Sequence, residues 1–343
     1  MPKLSAVYLL LLAFTLAGCL PSSCRRTESR EISPADSLSR QIAGQMTPDT
    51  LRLAWQAAGP DAAPMEYPRT LLFGPDGHLY VSDAQRHSLY TFTAGGTFVE
   101  EQTWDGAAYP YLAGLRGDTL LVFNPDAHRL DFVLAGVSVH RVPTPTDLPD
   151  APFQYVRATD DAIYFKTVGD NFRGYLARLD NQGAMTARVT LPGPYWRHAG
   201  LLRTWDDALL SLSGFRPVID VLSPDLTAPL DTLALVGFDS PMLARSYAFM
   251  HGDTYEAPLL SPSAVPVGDR LFVLNLRPGW LRIDVYDRAG RLQHILVQED
   301  PGFNTQFYPM DLAVRAPEAG RYEIAVAMVK PVPEIKLYRW HAP

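Results

Sequence analysis

A strand–turn–strand unit recurs six times along the chain, and no other feature limits the possible folds as strongly. The first copy reads YPRTLLFGPDGHLYVSDAQRHSLYTFTAGGTF over residues 67–98, with turns at Asp76-Gly77 and Gly95-Gly96. Period-2 strands bounded by Gly and Asp turns are typical of antiparallel hairpins. The corresponding turns stand at positions 77, 118, 161, 207, 269 and 320, so they are 41, 43, 46, 62 and 51 residues apart. The repeat therefore predicts an all-β fold.

Repeats of roughly 40–50 residues that each hold several strands are characteristic of a β-propeller. We therefore predict a six-bladed β-propeller of four-stranded antiparallel blades over residues 50–343. The last recognisable strand, Ile335–Trp340, is the third of its blade. An unmatched strand, Leu51–Gly59, precedes the first repeat, and we expect it to complete the last blade and close the ring. The long interval before the fifth repeat predicts an insertion over residues 238–262.

The N-terminal residues have the pattern of an export signal. An apolar run of 13 residues, Leu4–Leu16, follows Lys3, whereas a membrane-spanning helix needs about 20 residues. The run ends in Leu16-Ala17-Gly18-Cys19, which resembles the lipobox of bacterial lipoproteins. That resemblance implies removal of residues 1–18 and attachment to a membrane through a lipid on Cys19. We then expect residues 19–49 to form a flexible tether, with a short helix around 37–44.

Composition and the lipobox together limit the possible cellular locations and binding partners of the protein. The formal charge of −7 and a pI near 5.6 argue against nucleic-acid binding. The only cysteines are Cys19 and Cys24, so the globular part has no disulfide, Cys-ligated metal or thiol nucleophile. Leu20 occupies the position at which enteric lipoproteins of the inner membrane have Asp. The absence of that Asp favours the outer membrane. We expect a lipid-anchored protein of the bacterial cell envelope that faces the periplasm or the cell surface.

The first repeat resembles an NHL repeat. The resemblance rests on Pro68, the turn Pro75-Asp76-Gly77, the strand Leu79-Tyr80-Val81 followed by Asp83, and then Leu89 and Phe92. With the lipobox, the whole chain resembles six-bladed propeller lipoproteins of the Bacteroidota type. For propellers of this kind the resemblance implies binding of protein, peptide, glycan or RNA, and in some cases lyase or esterase chemistry.

No catalytic motif is present in the sequence. It lacks GxSxG, HExxH, P-loop and GxGxxG patterns, and no two of its eight histidines are spaced as a metal pair on one strand. Asp160-Asp161 and Asp206-Asp207 would suit calcium, but their recurrence at one hairpin position indicates turn chemistry instead. Regucalcin-like and strictosidine-synthase-like enzymes hold a divalent cation on a similar scaffold, and no matching Glu, Asn and Asp set can be assigned here. We therefore predict no cofactor, with calcium as the alternative.

Aromatic residues precede or begin the inner strand in five of the six repeats. They are Tyr67, Tyr109, Phe153, Tyr195 with Trp196, and Tyr308. Inner strands of a propeller line its central channel, so these residues and the polar ones after them would surround one concave mouth. Such a mixture suits a ligand pocket, and Arg69 and Arg197 favour an anionic or carboxylate-bearing ligand. Packing between blades is the competing explanation for the same aromatics.

The predicted ligand-binding residues include two from the insertion, which we expect to form a lip over the mouth. The full set is Tyr67, Arg69, Tyr109, Tyr111, Tyr155, Trp196, Arg197, His198, Tyr247, His251, Tyr308 and Asp311. His251 with Asp253 would also suit a base and its orienting carboxylate, but a polar loop is the favoured explanation.

Three functions fit the sequence. The first is an anchored binding protein that takes a peptide, glycan or protein at one concave face without turnover. The second is a divalent-cation-dependent hydrolase of the lactonase or esterase type, or a lyase, with its site at the channel mouth. The third is a structural subunit of an envelope complex, which would show a broad exposed apolar patch. The sequence does not indicate an oligomeric state.

Overall fold

The computed structural model describes residues 34–148, 151, 153–169, 173–228, 230–299 and 302–343. The predicted signal peptide, Cys19 and the first part of the predicted tether lie outside these residues. Two α-helices are present in the described part, α1 (Pro34–Gln45) and α2 (Leu243–Met250). Neither of them is long and apolar enough to cross a membrane.

Helix α1 falls within the range that the sequence assigns to a flexible tether, but it is docked on the rest of the protein. Ser39 is buried, and its hydroxyl accepts a hydrogen bond from the amide of Gly237 at 3.0 Å. Ala43 joins an apolar cluster that contains Phe238 and Leu292. The ordered part of the chain therefore includes residues 34–49 as well as the predicted propeller.

Four separate antiparallel sheets of four strands each follow one another along the chain, and we call them blades 1 to 4. Blade 1 contains β2 (Pro68–Phe73), β3 (Leu79–Asp83), β4 (Ser88–Phe92) and β5 (Phe98–Gln102). Blade 2 contains β6 (Tyr111–Arg116), β7 (Thr119–Asn124), β8 (Arg129–Leu134) and β9 (Val137–Pro143). Blade 3 contains β10 (Phe153–Ala158), β11 (Ile163–Val168), β12 (Gly174–Leu179) and β13 (Met185–Leu191). Blade 4 contains β14 (Leu202–Trp205), β15 (Ala208–Leu212), β16 (Val218–Leu222) and β17 (Asp231–Ala234).

The remaining strands form one eight-stranded sheet, which we call the joint sheet. Its first half contains β18 (Ala264–Val267), β19 (Arg270–Leu274), β20 (Arg282–Tyr286) and β21 (Leu292–Gln298). Its second half contains β22 (Tyr308–Glu318), β23 (Arg321–Lys330), β24 (Glu334–His341) and the N-terminal strand β1 (Asp49–Ala57). The structure therefore differs from the prediction of six separate sheets, because it has four separate blades and this joint sheet.

The N-terminal strand β1 causes the joining, because both of its edges are used. Over Arg52 to Ala57 it pairs antiparallel with β24, as the sequence predicts. Over Asp49 to Leu51 it pairs parallel with β21, which the sequence does not predict. Leu51 is fully buried in the apolar cluster between the two halves. One strand thus ties the two halves together and leaves neither with an open outer edge at this point.

The first strands of successive sheets form a closed ring, because each contacts the next and β22 returns to β2. Apolar side chains fill the spaces between neighbouring sheets; for example, the rings of Phe123 and Phe165 lie 5.8 Å apart in an edge contact between blades 2 and 3. The second strands are apolar on both faces because sheets flank them on both sides, and all six residues of β11 are buried. The outer strand β13 alternates between more and less exposed positions. The β-propeller arrangement is confirmed.

The carboxylate pairs suspected of binding calcium lie in hairpin turns. Asp160-Asp161 connects β10 with β11, and Asp206-Asp207 connects β14 with β15. Asp206 has a φ of +48°, a left-handed conformation that Asp tolerates better than most residues. Turn geometry therefore accounts for both pairs.

The segment that leads into the inner strand of blade 4 contains a 3₁₀ turn, Tyr195–Arg197, and the strand itself starts only at Leu202. Pro194 precedes the turn, and the ring of His198 is turned back so that Nε2 donates to the carbonyl of Pro192 at 2.7 Å. The polar residues of this segment consequently do not occupy the same position as Arg69 does in blade 1.

Candidate functional site

The inner strands all begin at one face of the ring, which we call the front face. In blades 1 and 2 a side chain at the end of the second strand fixes the segment that leads into the inner strand. In blade 1 the carboxylate of Asp83 accepts hydrogen bonds from the amides of Glu66 and Tyr67 at 2.7–3.1 Å. In blade 2 the side-chain oxygen of Asn124 accepts one from the amide of Ala108 at 3.1 Å. These contacts hold the backbone beside the predicted aromatic residues in place.

Three of the predicted tyrosines lie at the front face and are reachable from solvent. Tyr109 is 42% exposed, and its ring makes an edge contact with His87 at 4.9 Å. Tyr67 and Tyr308 are partly exposed and lie close enough to interact electrostatically. Burial raises the pKa of the Tyr308 hydroxyl, and the neighbouring Tyr67 adds to that rise. These positions agree with the predicted ring of aromatics at one mouth.

Tyr111 and Tyr155 lie deeper, on the inner strands themselves. Tyr111 is only 3% exposed and packs in the apolar cluster between blades 2 and 3. Its hydroxyl is buried close to the guanidinium of Arg203 but makes no well-aligned hydrogen bond with a described residue. Burial raises the pKa of Tyr111 and of Tyr155. Tyr111 therefore fits both packing between blades and ligand contact in part, because its ring packs in the apolar core and its hydroxyl lies near a charged group.

Arg69 lies beside Tyr111. Its guanidinium carbon is 5.7 Å from the centre of the Tyr111 ring, and its Nη1 donates to the backbone carbonyl of Tyr109 at 3.3 Å. Within the part of the chain that the structure describes, Arg69 forms no ion pair. Its positive charge is therefore not neutralised by a described residue, and its role in binding an anionic ligand stays a prediction.

Asp311 is not available to a ligand, although the sequence places it in the site. It is 1% exposed, and both of its oxygens are used within the protein. Oδ1 accepts hydrogen bonds from Arg203 at 2.9 Å and from Ser263 at 2.5 Å, and Oδ2 accepts one from the amide of Leu71 at 2.9 Å. Burial raises the pKa of Asp311, against the opposing effect of Arg203. The structure gives Asp311 a structural role that links three inner strands to β22.

Arg197 and His198 are likewise committed to internal contacts. Arg197 holds the carboxylate of Asp220 with two hydrogen bonds, at 2.9 and 3.2 Å. His198 is fully buried, and its Nδ1 lies 3.3 Å from the same carboxylate. Burial alone would raise the pKa of Asp220, but His198 and Arg197 outweigh burial and hold it at about 2. The predicted anion-binding role of Arg197 is therefore corrected, because its charge is already neutralised.

The insertion does not form the predicted lip with Tyr247 and His251. The Tyr247 hydroxyl donates to Asp36 of helix α1 at 2.9 Å, and His251 is an exposed residue at the end of α2. Phe249 packs instead against Phe215 and Tyr195, at 5.5 and 6.4 Å between ring centres. Trp196 is partly exposed and stacks with Arg216 at 5.7 Å. Helix α2 thus joins α1 to the front segments of blade 4.

Two cations deep in the ring were not predicted. Arg157 on β10 donates to the hydroxyl of Thr204 at 3.2 Å and weakly to the carbonyl of Ala113 at 3.5 Å, and burial lowers its pKa to about 10. Lys166 on β11 is fully buried, and burial lowers its pKa to about 7, with nearby Asp220 opposing the shift. A lone cation inside the otherwise apolar strand IYFKTV was the available signal, because Lys is almost never fully buried without a partner.

Lys166 and Ser211 resemble a nucleophilic serine with a lysine base, but a substrate cannot reach them. The ammonium of Lys166 donates to the Ser211 hydroxyl at 3.0 Å and lies 4.9 Å from the centre of the Tyr155 ring. Both residues are at most 1% exposed. A substrate carbonyl has no path to the hydroxyl in this arrangement, so the pair is a buried polar contact between blades 3 and 4.

Exposed aromatic side chains are concentrated at the front face. Among the described residues with large exposed apolar side chains, four are aromatic, and each lies in or at the end of a segment that leads into an inner strand. They are Tyr109, Phe153, Tyr255 and Phe303. Phe303 also contacts Trp280, with the ring centres 6.3 Å apart. Of the eight large exposed aliphatic residues described, four lie on outer strands, namely Leu53, Val99, Val137 and Val139.

Neither a metal cluster nor a deep pocket coincides with the predicted residues. Among the described residues, no group of three or more His, Cys, Asp or Glu side chains is placed to hold a metal ion. Concavities of about 240, 480 and 490 Å³ lie beside Trp205 and Arg288, beside β1 and Arg339, and at the turn Gly74–Gly77. All three are away from the aromatic residues of the front face.

No protein-family model matches the sequence, and no curated protein is similar to it at a significant level. Solved structures are similar in fold. Virginiamycin B lyase from Staphylococcus aureus has a TM-score of 0.53 at 12% identity, over 84% of this chain and 99% of that one. The calcium-binding protein regucalcin from Agrobacterium tumefaciens has a TM-score of 0.53 at 14% identity, over 87% and 98%. A Bacteroides fragilis protein designated as exported has a TM-score of 0.52 at 11% identity, over 86% and 95%. At such identities the likeness shows a β-propeller fold and nothing further.

Proposed function

We propose that this chain is a lipid-anchored, extracytoplasmic propeller that binds a peptide, glycan or protein at its front face without converting it. The observation that carries the proposal is the placement of the exposed aromatic side chains of the described residues at that face. Tyrosine, tryptophan and phenylalanine supply large contact areas at low cost in conformational entropy, and interface centres are enriched in them. The partly exposed Tyr67, Trp196 and Tyr308 extend the same surface.

The ring has six blades in this proposal, with the joint sheet counted as two. Each half of the joint sheet contributes its own first strand to the inner ring, β18 or β22, and each half holds four strands when β1 is included. The parallel contact between β1 and β21 involves only three residue pairs, Asp49 to Leu51 with Leu296 to Gln298. In this proposal the propeller domain also takes in α1, which contacts β21 of the joint sheet.

Cys19 is the proposed lipid attachment site, and residues 1–18 the proposed signal peptide. The lipobox pattern supports both, and the likeness to an exported protein of Bacteroides fragilis agrees with a location outside the cytoplasm. Two acyl groups or more make such an anchor stable. We place the protein at the outer membrane, facing the periplasm or the cell surface.

The anchor is tested with Cys19→Ala, and Cys24→Ala serves as the matched control. Each full-length form is expressed in a bacterium with radiolabelled palmitate, and the membrane and soluble fractions are compared. We expect label and membrane association in the wild type and in Cys24→Ala, and loss of both in Cys19→Ala. Labelled Cys19→Ala protein in the membrane fraction would contradict the anchor.

Binding is tested by applying the full chain, in a non-ionic detergent, to glycan and peptide arrays. The double variant Tyr109→Ala with Phe303→Ala removes two exposed aromatics from the front face, and Val139→Ala removes an exposed apolar residue from the outer strand β9. We expect the double variant to weaken the strongest array signal at least tenfold and Val139→Ala to leave it unchanged. Array signals that are absent, or equally weakened by both changes, would overturn the proposal.

The alternative function is a divalent-cation-dependent lactonase-like or esterase-like hydrolase, or a lyase. The support for this alternative is that a lyase and a calcium-binding protein have a fold similar to that of this chain. A similar fold alone does not show that two proteins have the same activity. The binding proposal is favoured because the exposed aromatic surface is a property of this chain itself.

A further inference from the structure

Two arginines on the inner strands have no negatively charged partner. Arg203 forms an ion pair with Asp311, and Arg197 forms one with Asp220. Arg69 and Arg157 form no ion pair with any described residue; their only hydrogen bonds are to backbone carbonyls and to the Thr204 hydroxyl. The inner ring therefore has an excess of positive charge beside the front face.

Unpaired hydrogen-bond donors accompany this charge. The Nε of Arg157 and the hydroxyl of Tyr111 are both buried, and neither has a hydrogen-bond partner among the residues that the structure describes. The Arg69 guanidinium carbon is 5.7 Å from the centre of the Tyr111 ring, and Arg157 reaches the same strand, where its Nη1 lies 3.5 Å from the carbonyl of Ala113. Tyr155 packs against the apolar cluster that contains Tyr111. The four side chains thus form one cluster, which we call the arginine–tyrosine cluster.

Arg69 and Arg157 are partly buried, and a charge that is withdrawn from water is unfavourable unless an opposite charge compensates it. A buried hydrogen-bond donor without an acceptor is unfavourable for the same reason. A carboxylate would satisfy both needs, because its two oxygens accept paired hydrogen bonds from the planar fork of an arginine and further bonds from tyrosine hydroxyls. We infer that the arginine–tyrosine cluster binds a carboxylate group of the ligand. This inference rests on the proposed binding function and specifies the chemistry of the group that enters the ring.

The inference differs from the sequence prediction in the residues that carry it. Arg69 is retained from that prediction. Arg157 takes the place of Arg197, because Arg197 is paired with Asp220. Both arginines of the cluster lie on inner strands, so their positions are held by the ladders of blades 1 and 3.

The test is isothermal titration calorimetry of the full chain in non-ionic detergent, with sodium succinate as the probe. Succinamide is the neutral control of the same shape, and sodium phosphate is the control for a general anion effect. All titrations are made at one ionic strength. We expect succinate to bind, succinamide not to bind, and phosphate to bind at least tenfold more weakly than succinate.

Variants assign the binding to the cluster. Arg157→Gln and Arg69→Gln should each weaken succinate binding at least tenfold, whereas Arg321→Gln, on an exposed strand end, should leave it unchanged. Arg157→Met separates a ligand-binding role from a structural one. If Arg157 serves to bind a ligand, the Arg157→Met change leaves the thermal midpoint of the ligand-free protein unchanged or raises it.

Several results would overturn the inference. They are absence of succinate binding, equal binding of succinamide, stronger binding of phosphate than of succinate, unchanged succinate affinity in both glutamine variants, or a lowered midpoint in Arg157→Met. The outer-strand variant Val139→Ala should not change succinate affinity. Succinate binding without any array signal would therefore uphold the cluster and reject the proposed front-face function, and the reverse pattern would do the opposite.

Discussion

Arg203 on β14 reaches past β18 to Asp311 on β22, and its Nη2 lies 2.9 Å from Oδ1 of that carboxylate. On the way it donates from Nε to the carbonyl of Ala264, and Asp311 in turn accepts from the amide of Leu71 on β2. One ion pair thus connects blade 4, both halves of the joint sheet and blade 1. It is buried in the closed ring of inner strands, where a broken contact cannot be replaced by water easily.

Asp311→Ala should lower the free energy of unfolding by about 3–5 kcal/mol, because it leaves the Arg203 guanidinium buried without its partner. Chemical denaturation of the full chain measures this change. Asp118→Ala removes an exposed carboxylate from a turn and should change stability by less than about 0.5 kcal/mol. If the two variants are equally stable, Asp311 does not link the strands as described.

Leu51 and Leu53 of β1 test the closing strand. Leu51 is fully buried and Leu53 is 49% exposed on the same strand. Leu51→Ala should cost about 2–5 kcal/mol, and Leu53→Ala less than about 0.5 kcal/mol. The thermal midpoints of both variants are to be compared with the wild type; indistinguishable midpoints would show that β1 does not hold the ring closed.

Lys166 should make stability depend on pH above neutrality. Burial lowers its pKa to about 7 in the folded protein, whereas an unfolded chain keeps the ordinary value near 10.4. Between these two values the unfolded state binds the proton and the folded state does not, so stability rises with pH by up to about 1.4 kcal/mol per pH unit. Denaturation curves from pH 7 to 10 should show this rise in the wild type.

The same rise should be smaller in Lys166→Met, because no buried amine remains to lose its proton. Lys330→Met, at an exposed strand end, is the control and should retain the dependence of the wild type. A Lys166→Met protein with the full wild-type slope would mean that another group causes it.

Tyr111 separates core packing from ligand contact. Tyr111→Ala should cost about 3–5 kcal/mol because the ring fills space between blades 2 and 3. Tyr111→Phe keeps the ring and removes a buried hydroxyl that has no well-aligned partner, so stability should be unchanged or slightly higher. Calorimetry should nevertheless show weaker succinate binding by Tyr111→Phe. Unaltered affinity would place the hydroxyl outside the carboxylate site.

Metal analysis separates the two proposed functions. If the binding proposal holds, the purified full chain should carry no stoichiometric calcium, and its thermal midpoint should be the same with added calcium and with a chelator. Stoichiometric metal, together with a midpoint that falls on chelation, would favour the hydrolase or lyase alternative, and lactone and ester substrates would be tried next.

Local patterns predicted much of the architecture. The six predicted turn positions each lie between the first and second strand of a four-stranded unit, because turn residues and period-2 alternation act over a few positions. The antiparallel pairing of β1 with β24 was predictable because the last repeat lacked its fourth strand. The parallel contact of β1 with β21 was not, since it depends on how two sheets meet in space.

The site was predicted less completely, for a physical reason. The sequence shows which residue types recur at the starts of inner strands, but not which charges neutralise one another. Arg69 and Arg197 look equivalent along the chain, yet Asp220 pairs with Arg197 from another strand of its own blade. Arg157 was overlooked because only three-dimensional packing reveals that it lacks a carboxylate partner.

The pairing of β1 with β24 also has a consequence for the order of folding. Leu53 pairs with Tyr338, so the two partners are separated by nearly the whole chain. Contacts between such distant residues form slowly, because a long loop must close before they gain any stability. A chain that emerges from its N-terminus can assemble blades 1 to 4 one after another, but β1 has no strand partner until β21 has been made, and its other edge stays unpaired until β24 has been made. Closing the ring is therefore the final folding event, and it commits the beginning and the end of the polypeptide to the native state in a single step.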